Sequence, residues 1–216
     1  GMKVDISGNT KLAGILGYPV SHSLSPQMHN AAYQAMELDI RYVPLPVEQK
    51  QLKDAIRGLK AMEFIGANVT IPYKVAVVEM MDRLADSAAK TGAVNTIVNS
   101  DGMFVGHNTD GEGFIKSLEE IISLDYENAP AVIIGAGGAA RSIAVALADA
   151  GVKHLAIVNR SSGRAAELQD LLKKSCPLVS TTAYGLEEEY GEIITASKII
   201  INTTPLGMDG NLKSSI

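Results

Sequence analysis

The sequence has little of what marks a secreted, membrane-spanning or nucleic-acid-binding protein. Its 216 residues include one cysteine, Cys176, which excludes an internal disulfide and a metal site built from cysteines. No apolar run approaches the ~18 residues of a membrane span, and we expect no signal peptide. The net charge of −5 comes without a basic stripe, so neither nucleic acid nor a membrane is an expected partner. Because the four histidines lack metal-binding spacing, we predict no metal site, and we place the protein in the cytoplasm.

Strand-like and helix-like segments alternate along the whole chain. Apolar runs of strand type indicate strands over 12–16, 41–46, 66–71, 93–99, 103–107, 131–134 and 154–158, with two more near 178 and 199. Helical patterns cover 26–36, 48–59, 73–81, 83–90, 109–122 and 141–150. Residues 100–102 mark a hairpin turn. The alternation is typical of an α/β fold with mainly parallel sheets, and we place the two domains at 1–109 and 110–216.

A glycine-rich loop connects the predicted strand 131–134 to the helix that follows it. The loop reads Gly-Ala-Gly-Gly-Ala-Ala-Arg over residues 135–141, and Gly151 stands where that helix should end. A strand, a glycine loop, a helix and a second strand form the βαβ unit that binds a dinucleotide pyrophosphate at a helix N-terminus. The alternative is a βαβ unit whose glycines serve close packing alone.

The residues after the next strand bear on which dinucleotide would bind. A NAD-binding βαβ unit usually places Asp or Glu there, where it accepts hydrogen bonds from the ribose 2′-hydroxyl. Here the pair is Asn159 and Arg160, with a second arginine at Arg164. Guanidinium groups bind a 2′-phosphate bidentately, whereas a carboxylate repels it. The sequence therefore favours NADP over NAD, although a solvated surface arginine is the ordinary alternative.

Two serines precede the first predicted helix. Ser25 stands before Pro26 and is expected to be the helix N-cap, with proline as the first helical residue. Capping requires one serine, so Ser23 is the surplus hydroxyl. A helix N-terminus with hydroxyl groups beside it also suits a carboxylate ligand.

Polar residues interrupt the predicted strand 66–71 and the segment after it. Asn68 and Thr70 share one face of the strand because side chains alternate between faces. Lys74 falls in the first turn of the predicted helix 73–81, where the helix dipole disfavours a cation. A functional lysine and a solvated surface lysine both remain open.

Two further polar motifs lie near the predicted domain boundary. Asn95 stands among apolar strand residues, and either a structural partner or a ligand would satisfy its amide. Thr109 and Glu112 fit a capping box, which leaves Asp110 available for another role. A lysine and an aspartate among hydroxyl and amide groups suit a polyhydroxylated anionic substrate, and a partly desolvated lysine can serve in proton transfer.

These motifs occur in the order found in shikimate dehydrogenases, which the chain resembles from residue 12 to about 208. They read Ser-x-Ser-Pro, Asn-Val-Thr-x-Pro-x-Lys, Gly-Ala-Val-Asn-Thr, Asn-Thr-Asp-Gly, Gly-Ala-Gly-Gly-Ala-Ala-Arg and Asn-Arg-Ser. The resemblance implies an N-terminal α/β substrate domain and a Rossmann-like, doubly wound NADP-binding domain. It also implies NADP-dependent interconversion of 3-dehydroshikimate and shikimate, a step of the chorismate pathway of aromatic amino-acid biosynthesis.

The resemblance also implies a role for each matching residue. Ser23 and Ser25 would hold the substrate carboxylate, and its hydroxyl groups would be bound by Asn68, Thr70, Asn95 and Asp110. Lys74, paired with Asp110, would be the catalytic acid and base. The pyrophosphate would be bound by Gly135, Gly137, Gly138 and Ala139, and the 2′-phosphate by Asn159, Arg160, Ser161 and Arg164. Thr203 matches the loop that passes beneath the cofactor.

The end of the sequence departs from the family pattern. We predict about four strands after Asp110, whereas a full doubly wound dinucleotide domain has six. Family members continue with further strands, a glutamine that contacts the substrate and helices that return to the first domain, so we expect a C-terminally truncated domain here. The alternatives are a quinate/shikimate dehydrogenase, a methylene-tetrahydrofolate dehydrogenase and a non-catalytic ligand-binding fragment. We expect a monomer or a homodimer.

Overall fold

A computed structural model of the protein describes residues 6–185, 188 and 191–204. The chain divides into two compact units, Gly1–Thr109 and Asp110–Ile216. Each unit combines helices with a sheet, so the predicted α/β class is confirmed. Among the described residues, no helix is long and apolar enough to cross a membrane.

The first unit contains a six-stranded mixed sheet with the strand order β2-β1-β3-β5-β6-β4. The strands are β1 (Lys11–Gly17), β2 (Ile40–Pro46), β3 (Gly66–Val69), β4 (Arg83–Leu84), β5 (Thr96–Ser100) and β6 (Met103–His107). β1 pairs in parallel with β2 and β3, whereas β5 pairs antiparallel with β3 and β6. Between β5 and β6, Asp101 and Gly102 have φ values of 51° and 85°, which confirms the predicted hairpin.

Three helices accompany this sheet: α1 (Ser25–Ala35), α2 (Leu52–Ala61) and α3 (Asp86–Thr91). α2 buries Leu52, Ile56 and Leu59, which follow helical spacing, in a cluster with Leu16 and Val69 of the sheet. Burying a leucine or isoleucine side chain contributes about 1.5–3 kcal/mol. This face of the sheet is therefore a packed core, and polar side chains collect on the other face.

The prediction of a helix over residues 73–81 is wrong. This segment forms turns, with a single 3₁₀ turn at Val78–Met80. Tyr73 is 2% exposed and donates a hydrogen bond from its hydroxyl to the carbonyl of Val47, while Val94 N donates to Lys74 O. Bonds to residues that are distant in the sequence thus replace the intrahelical ladder that the apolar pattern favoured.

Two other boundaries differ from the predicted ones for similar reasons. The strand predicted over 66–71 ends at Val69, two residues before the Ile71–Pro72 peptide. The helix predicted over 83–90 consists of the short strand β4 followed by α3, because Arg83 and Leu84 pair with β6.

The second unit contains a four-stranded parallel sheet with the order β10-β7-β8-β9. Its strands are β7 (Ala131–Ile134), β8 (His154–Val158), β9 (Ser180–Tyr184) and β10 (Ile199–Asn202). Its helices are α4 (Asp110–Ile121), α5 (Gly138–Ala150), α6 (Ser162–Ser175) and α7 (Gly191–Ala196). Within the described part of this unit, the strand number agrees with the predicted four. All pairs are parallel, so the carboxyl ends of the strands share one edge.

Close packing places α4 against α5 in this unit. A Cβ atom on Gly111 would lie 2.7 Å from Ser142 O, so the two helices approach over a position that tolerates no side chain. α5 ends as predicted at Gly151, which has a φ of 116°.

Candidate functional site

Polar side chains of the first unit lie on the face of the sheet that carries Ala13 and Ile15. Tyr42 of β2 pairs with Ala13 of β1, and Asn68 of β3 pairs with Ile15. On the far side of β3, Asn68 pairs with Thr96 of β5. Because paired residues and alternate residues share a face, all these side chains project to the same side.

The side chains at this face are linked in one chain of hydrogen bonds. Tyr42 Oη donates to Asn68 Oδ1 at 2.8 Å, and Asn68 Nδ2 donates to Thr96 Oγ1 at 3.4 Å. Thr96 Oγ1 donates to Asn95 Oδ1 at 3.0 Å, and Asn95 Nδ2 donates to Thr109 Oγ1 at 2.9 Å. We call Tyr42, Asn68, Thr96, Asn95 and Thr109 the polar row. Each of the first four side chains donates to the next one, so the row fixes the orientation of both amides.

The predicted N-cap role of Ser25 is wrong. Ser25 is the first residue of α1, and Leu24 is the N-cap with helix-like angles of −85° and −7°. Ser23 Oγ instead accepts a hydrogen bond from Ser25 N at 3.2 Å. Ser23 therefore stabilises the start of the helix, and Ser25 is the surplus hydroxyl.

Tyr42 was missed by sequence reasoning, although a tyrosine in a buried strand requires a partner for its hydroxyl. It is 3% exposed, and the ring of His29 from α1 stacks on it at 4.1 Å. Asn30 exchanges two hydrogen bonds of 2.8 Å with the backbone of Tyr42, so α1 is fastened to β2. Burial raises the pKa of Tyr42 to about 12, with a smaller contribution from Tyr33, and a hydrogen bond from the Ser25 hydroxyl opposes the rise.

Thr70 and Lys74 lie in the loop after β3. Thr70 N donates to Leu16 O at 2.9 Å, and a Cβ on Gly17 would lie 2.3 Å from Thr70 Cγ2. Lys74 is half-buried, and its carbonyl accepts from Val94 N at 2.7 Å. The structure thereby brings the backbone of Lys74 beside the residue that precedes Asn95.

The segment before Asp110 is held from two sides. Thr109 N donates to Asn95 Oδ1 at 3.0 Å, so Asn95 binds Thr109 through two bonds. Asn108 was not assigned a role from the sequence, but its buried amide donates to Ala93 O and Thr91 Oγ1. Asp110 begins α4 in the second unit, and its pairing with Lys74 stays a prediction.

The glycine loop of the second unit connects β7 to α5, as the sequence predicts. Gly135 has a φ of 117° and donates from its N to Val158 O at 2.8 Å. A Cβ on Gly135 would lie 2.2 Å from Thr203 Oγ1, which itself donates to Ile134 O at 2.8 Å. Thr203 thus packs directly against the loop, and only glycine fits at position 135.

The start of α5 is open to a ligand. Gly137 is the N-cap and is exposed, and a Cβ there would meet nothing within 4 Å. α5 begins at Gly138 rather than at residue 141, so Gly138 and Ala139 present their N–H groups in its first turn. No acidic residue lies in that turn, and its positive dipole end suits a phosphate.

Two polar residues of the loop after β8, Asn159 and Ser161, form hydrogen bonds that hold the loop in place. Asn159 Nδ2 donates to Ser161 O at 2.9 Å, and Asn159 N donates to Tyr184 O at 3.0 Å. Ser161 is the N-cap of α6 and accepts from Arg164 N at 3.4 Å. Ser161 and Asn159 therefore shape this loop whether or not they bind a ligand.

The two arginines of this loop are exposed to solvent. Over the described ranges, neither Arg160 nor Arg164 forms an ion pair with a carboxylate, and the first turn of α6 has no acidic residue. The loop therefore offers two guanidinium groups to an anion.

A third arginine, Arg141 of α5, lies mostly buried between α5 and α6. Its Nη2 atom lies 3.9 Å from Glu167 Oε2, and desolvation lowers its pKa. The sequence motif included Arg141 without assigning it a role, and its position indicates a contact between the two helices.

Comparisons with known proteins match family models to both units of the chain. The model of the shikimate dehydrogenase substrate binding domain matches residues 15–97, and that of shikimate/quinate 5-dehydrogenase matches residues 117–205. The shikimate dehydrogenase (NADP+) of Halothermothrix orenii is 42% identical over 206 residues, which are 95% of this chain and 71% of that protein. The chain belongs to the shikimate dehydrogenase family. The family enzyme of Geobacillus sp. is 46% identical, with 94% of this chain and 72% of that protein covered.

Solved structures show the same fold with more than one substrate and cofactor. A crystal structure of shikimate dehydrogenase in complex with NADP+ has a TM-score of 0.85 at 37% identity, covering 100% of this chain and 74% of that one. A 5-ketofructose reductase of Gluconobacter has a TM-score of 0.79 at 37% identity, with coverages of 97% and 74%. Quinate dehydrogenase from Corynebacterium glutamicum in complex with NAD has a TM-score of 0.80 at 29% identity, with coverages of 92% and 72%. The fold alone therefore does not determine the substrate or the cofactor.

Proposed function

We propose that this chain catalyses the NADP-dependent reduction of 3-dehydroshikimate to shikimate. The polar row carries this proposal. It fixes the amides of Asn68 and Asn95 in one chain of hydrogen bonds, which suits a ligand with several hydroxyl groups. Thr109, at its end, directly precedes Asp110, and the backbone of Lys74 is bonded beside Asn95 through Val94.

The substrate carboxylate is assigned to the start of α1. Ser23 and Ser25 lie at its first turn, where hydroxyl donors and the positive end of the helix dipole favour an anion. Asn68, Thr70, Asn95 and Asp110 bind the hydroxyl groups. Amide and carboxylate groups held by their neighbours lose little freedom on binding.

Lys74 acts as the acid. When bound, NADPH supplies the hydride that reduces the ketone carbon. The negative charge that develops on the ketone oxygen is neutralised by a proton from the Lys74 ammonium. Asp110 holds this lysine charged and oriented, and it accepts a hydrogen bond from a substrate hydroxyl.

The cofactor site is assigned to the glycine loop and the loop after β8. The N–H groups of Gly138 and Ala139 bind the pyrophosphate beside the exposed Gly137. Arg160 and Arg164 bind the 2′-phosphate, because both guanidinium groups are exposed and neither is occupied by a carboxylate in the described part of the chain.

Dehydrogenase assays with a panel of substrates test this function. We expect reduction of NADP+ with shikimate, with much lower rates when quinate replaces shikimate or NAD+ replaces NADP+. Preference for quinate and NAD+ would assign the chain to the quinate dehydrogenases. Shikimate binding in a calorimeter without any turnover would support the non-catalytic alternative. Neither turnover nor binding would contradict the proposal.

A further inference from the structure

The hydroxyl of Tyr42 lies between two residues that are assigned to the substrate. The Ser25 side chain lies close enough to the phenol to lower its pKa, and the phenol donates a hydrogen bond of 2.8 Å to Asn68 Oδ1. Ser25 belongs to α1 and Asn68 to β3, while Tyr42 belongs to β2. One buried phenol therefore connects the carboxylate end and the hydroxyl end of the proposed substrate site.

We propose that Tyr42 is a positioning residue, which orients the Asn68 amide so that Nδ2 donates to a hydroxyl oxygen of the substrate. This inference rests on the proposed function. Tyr42 itself does not contact the ligand and acts through Asn68.

The directions of the hydrogen bonds support this role. The proton of Tyr42 is directed at Asn68 Oδ1, which lies 2.8 Å from the phenol oxygen. A flipped Asn68 amide would place Nδ2 there, so the bond from Tyr42 would be lost and its proton would have to turn away. Its Oδ1 would also face Thr96 Oγ1, whose own proton is donated to Asn95. The observed orientation satisfies every partner, and it leaves one N–H of Asn68 Nδ2 beyond its bond to Thr96.

The surroundings of Tyr42 hold the phenol in place and keep it protonated. Its ring is stacked on His29, and both its backbone N–H and its carbonyl form hydrogen bonds with the Asn30 side chain. Burial raises the pKa of the phenol to about 12, so it stays a donor throughout the physiological pH range. A mobile or ionisable group could not fix an amide in this way.

Removing only the hydroxyl separates this role from packing. Tyr42→Phe keeps the ring against His29 and removes the donor to Asn68 Oδ1, so the amide is held by Thr96 alone. We expect calorimetry to show shikimate binding that is weaker by about three- to tenfold, the range for one lost hydrogen bond, and NADP+ binding that is unchanged. In an assay of turnover, the loss should appear in KM rather than in kcat, because Lys74 is untouched.

A double-mutant cycle shows whether Tyr42 acts through Asn68. Asn68→Ala should weaken shikimate binding, and adding Tyr42→Phe to it should cause no further loss. The control is Tyr33→Phe, which removes a hydroxyl from the same aromatic cluster outside the polar row and should bind shikimate normally.

Three outcomes are distinguishable in this cycle. If Tyr42→Phe bound shikimate with wild-type affinity, the role of Tyr42 would be overturned while the proposed function stayed intact. The same conclusion would follow if Tyr42→Phe weakened shikimate binding as much in the Asn68→Ala variant as in wild type. A wild-type chain that does not bind shikimate would overturn both. The NMR signals of the Asn68 side-chain NH2 group give a second measurement without ligand, and Tyr42→Phe should shift them whereas Tyr33→Phe should not.

Discussion

Gly135→Ala and Gly137→Ala add the same methyl group two residues apart, and the structure predicts that they fail in different ways. At position 135 the backbone has a φ of 117°, and the new Cβ would lie 2.2 Å from Thr203 Oγ1. A non-glycine residue in this conformation costs about 1–3 kcal/mol, and the overlap adds about 1–3 kcal/mol. We therefore expect the free energy of unfolding to fall by about 2–6 kcal/mol.

Position 137 has an ordinary extended backbone, with a φ of −84° and a ψ of −167°, and open space around the Cβ. Gly137→Ala should therefore lower the free energy of unfolding by no more than about 1 kcal/mol, the cost of replacing glycine by the poorer N-cap alanine. Its methyl group would instead occupy the place where the backbone approaches the pyrophosphate. If one hydrogen bond to the charged phosphate is lost, NADP+ binding should weaken by about 1.5–3 kcal/mol.

Urea unfolding and NADP+ titration of both variants measure the two effects. The expected pattern is an unstable Gly135→Ala and a stable Gly137→Ala that binds NADP+ poorly. Equal stability losses would refute the reasoning about the loop backbone. Wild-type NADP+ affinity in Gly137→Ala would refute the assignment of the pyrophosphate to this loop.

Three further predictions concern other residues. Arg160→Ala should weaken NADPH binding by about 1.5–3 kcal/mol and leave NADH binding nearly unchanged; equal losses in the two titrations would contradict the 2′-phosphate site. Gly111→Ala should destabilise the second unit by about 1–3 kcal/mol, because its Cβ would lie 2.7 Å from Ser142 O. The control is Gly113→Ala in the same helix, where an added Cβ would meet nothing within 4 Å. This variant should raise the free energy of unfolding of the second unit by about 0.5–1 kcal/mol, measured in urea. Burial raises the pKa of Tyr42 from 10.0 to about 12, so the native state retains this proton above pH 10 while the unfolded state loses it. The stabilising contribution is therefore complete below pH 10 and is lost as the pH rises to 12. By pH 11, wild type should have lost on the order of 1 kcal/mol more stability than Tyr42→Phe. The same decline in both proteins would contradict this.

Local patterns explain why much of the second unit could be predicted from the sequence. Residues 131–158 carry an apolar strand, a glycine loop and a helix stop at Gly151, and each signal depends on residues close in the chain. The positive φ of Gly135 follows from the same motif. Only the first turn of α5 began earlier than expected, at Gly138.

The first unit was less predictable because distant contacts decide its loops. The apolar pattern of 73–81 favoured a helix, but Tyr73 is bonded to Val47, which lies far away in the sequence. Ser25 and Pro26 are a normal helix start, yet the helix includes Ser25 because Ser23 accepts its N–H bond. The bond of Tyr73 has no signal in the local sequence, whereas that of Ser23 is a local serine–backbone bond that competes with the N-cap role of Ser25.

The polar row could be predicted only in part. Asn68 and Asn95 stood out as amides within strands, so they were identified as candidates. Their links to Tyr42 and Thr96 depend on the strand order and register, which sequence alone did not supply. A buried tyrosine hydroxyl was the one available signal for Tyr42.

The rate of NADPH oxidation with 3-dehydroshikimate, measured for wild type and Lys74→Ala side by side, tests the central claim most directly. The Lys74 proton is needed mainly in the transition state, and general acid catalysis contributes about 10²–10⁴-fold. We predict that wild type turns over and that Lys74→Ala lowers kcat by that factor while still binding shikimate. A Lys74→Ala variant with the kcat of wild type, or a wild-type chain without turnover, would contradict the account.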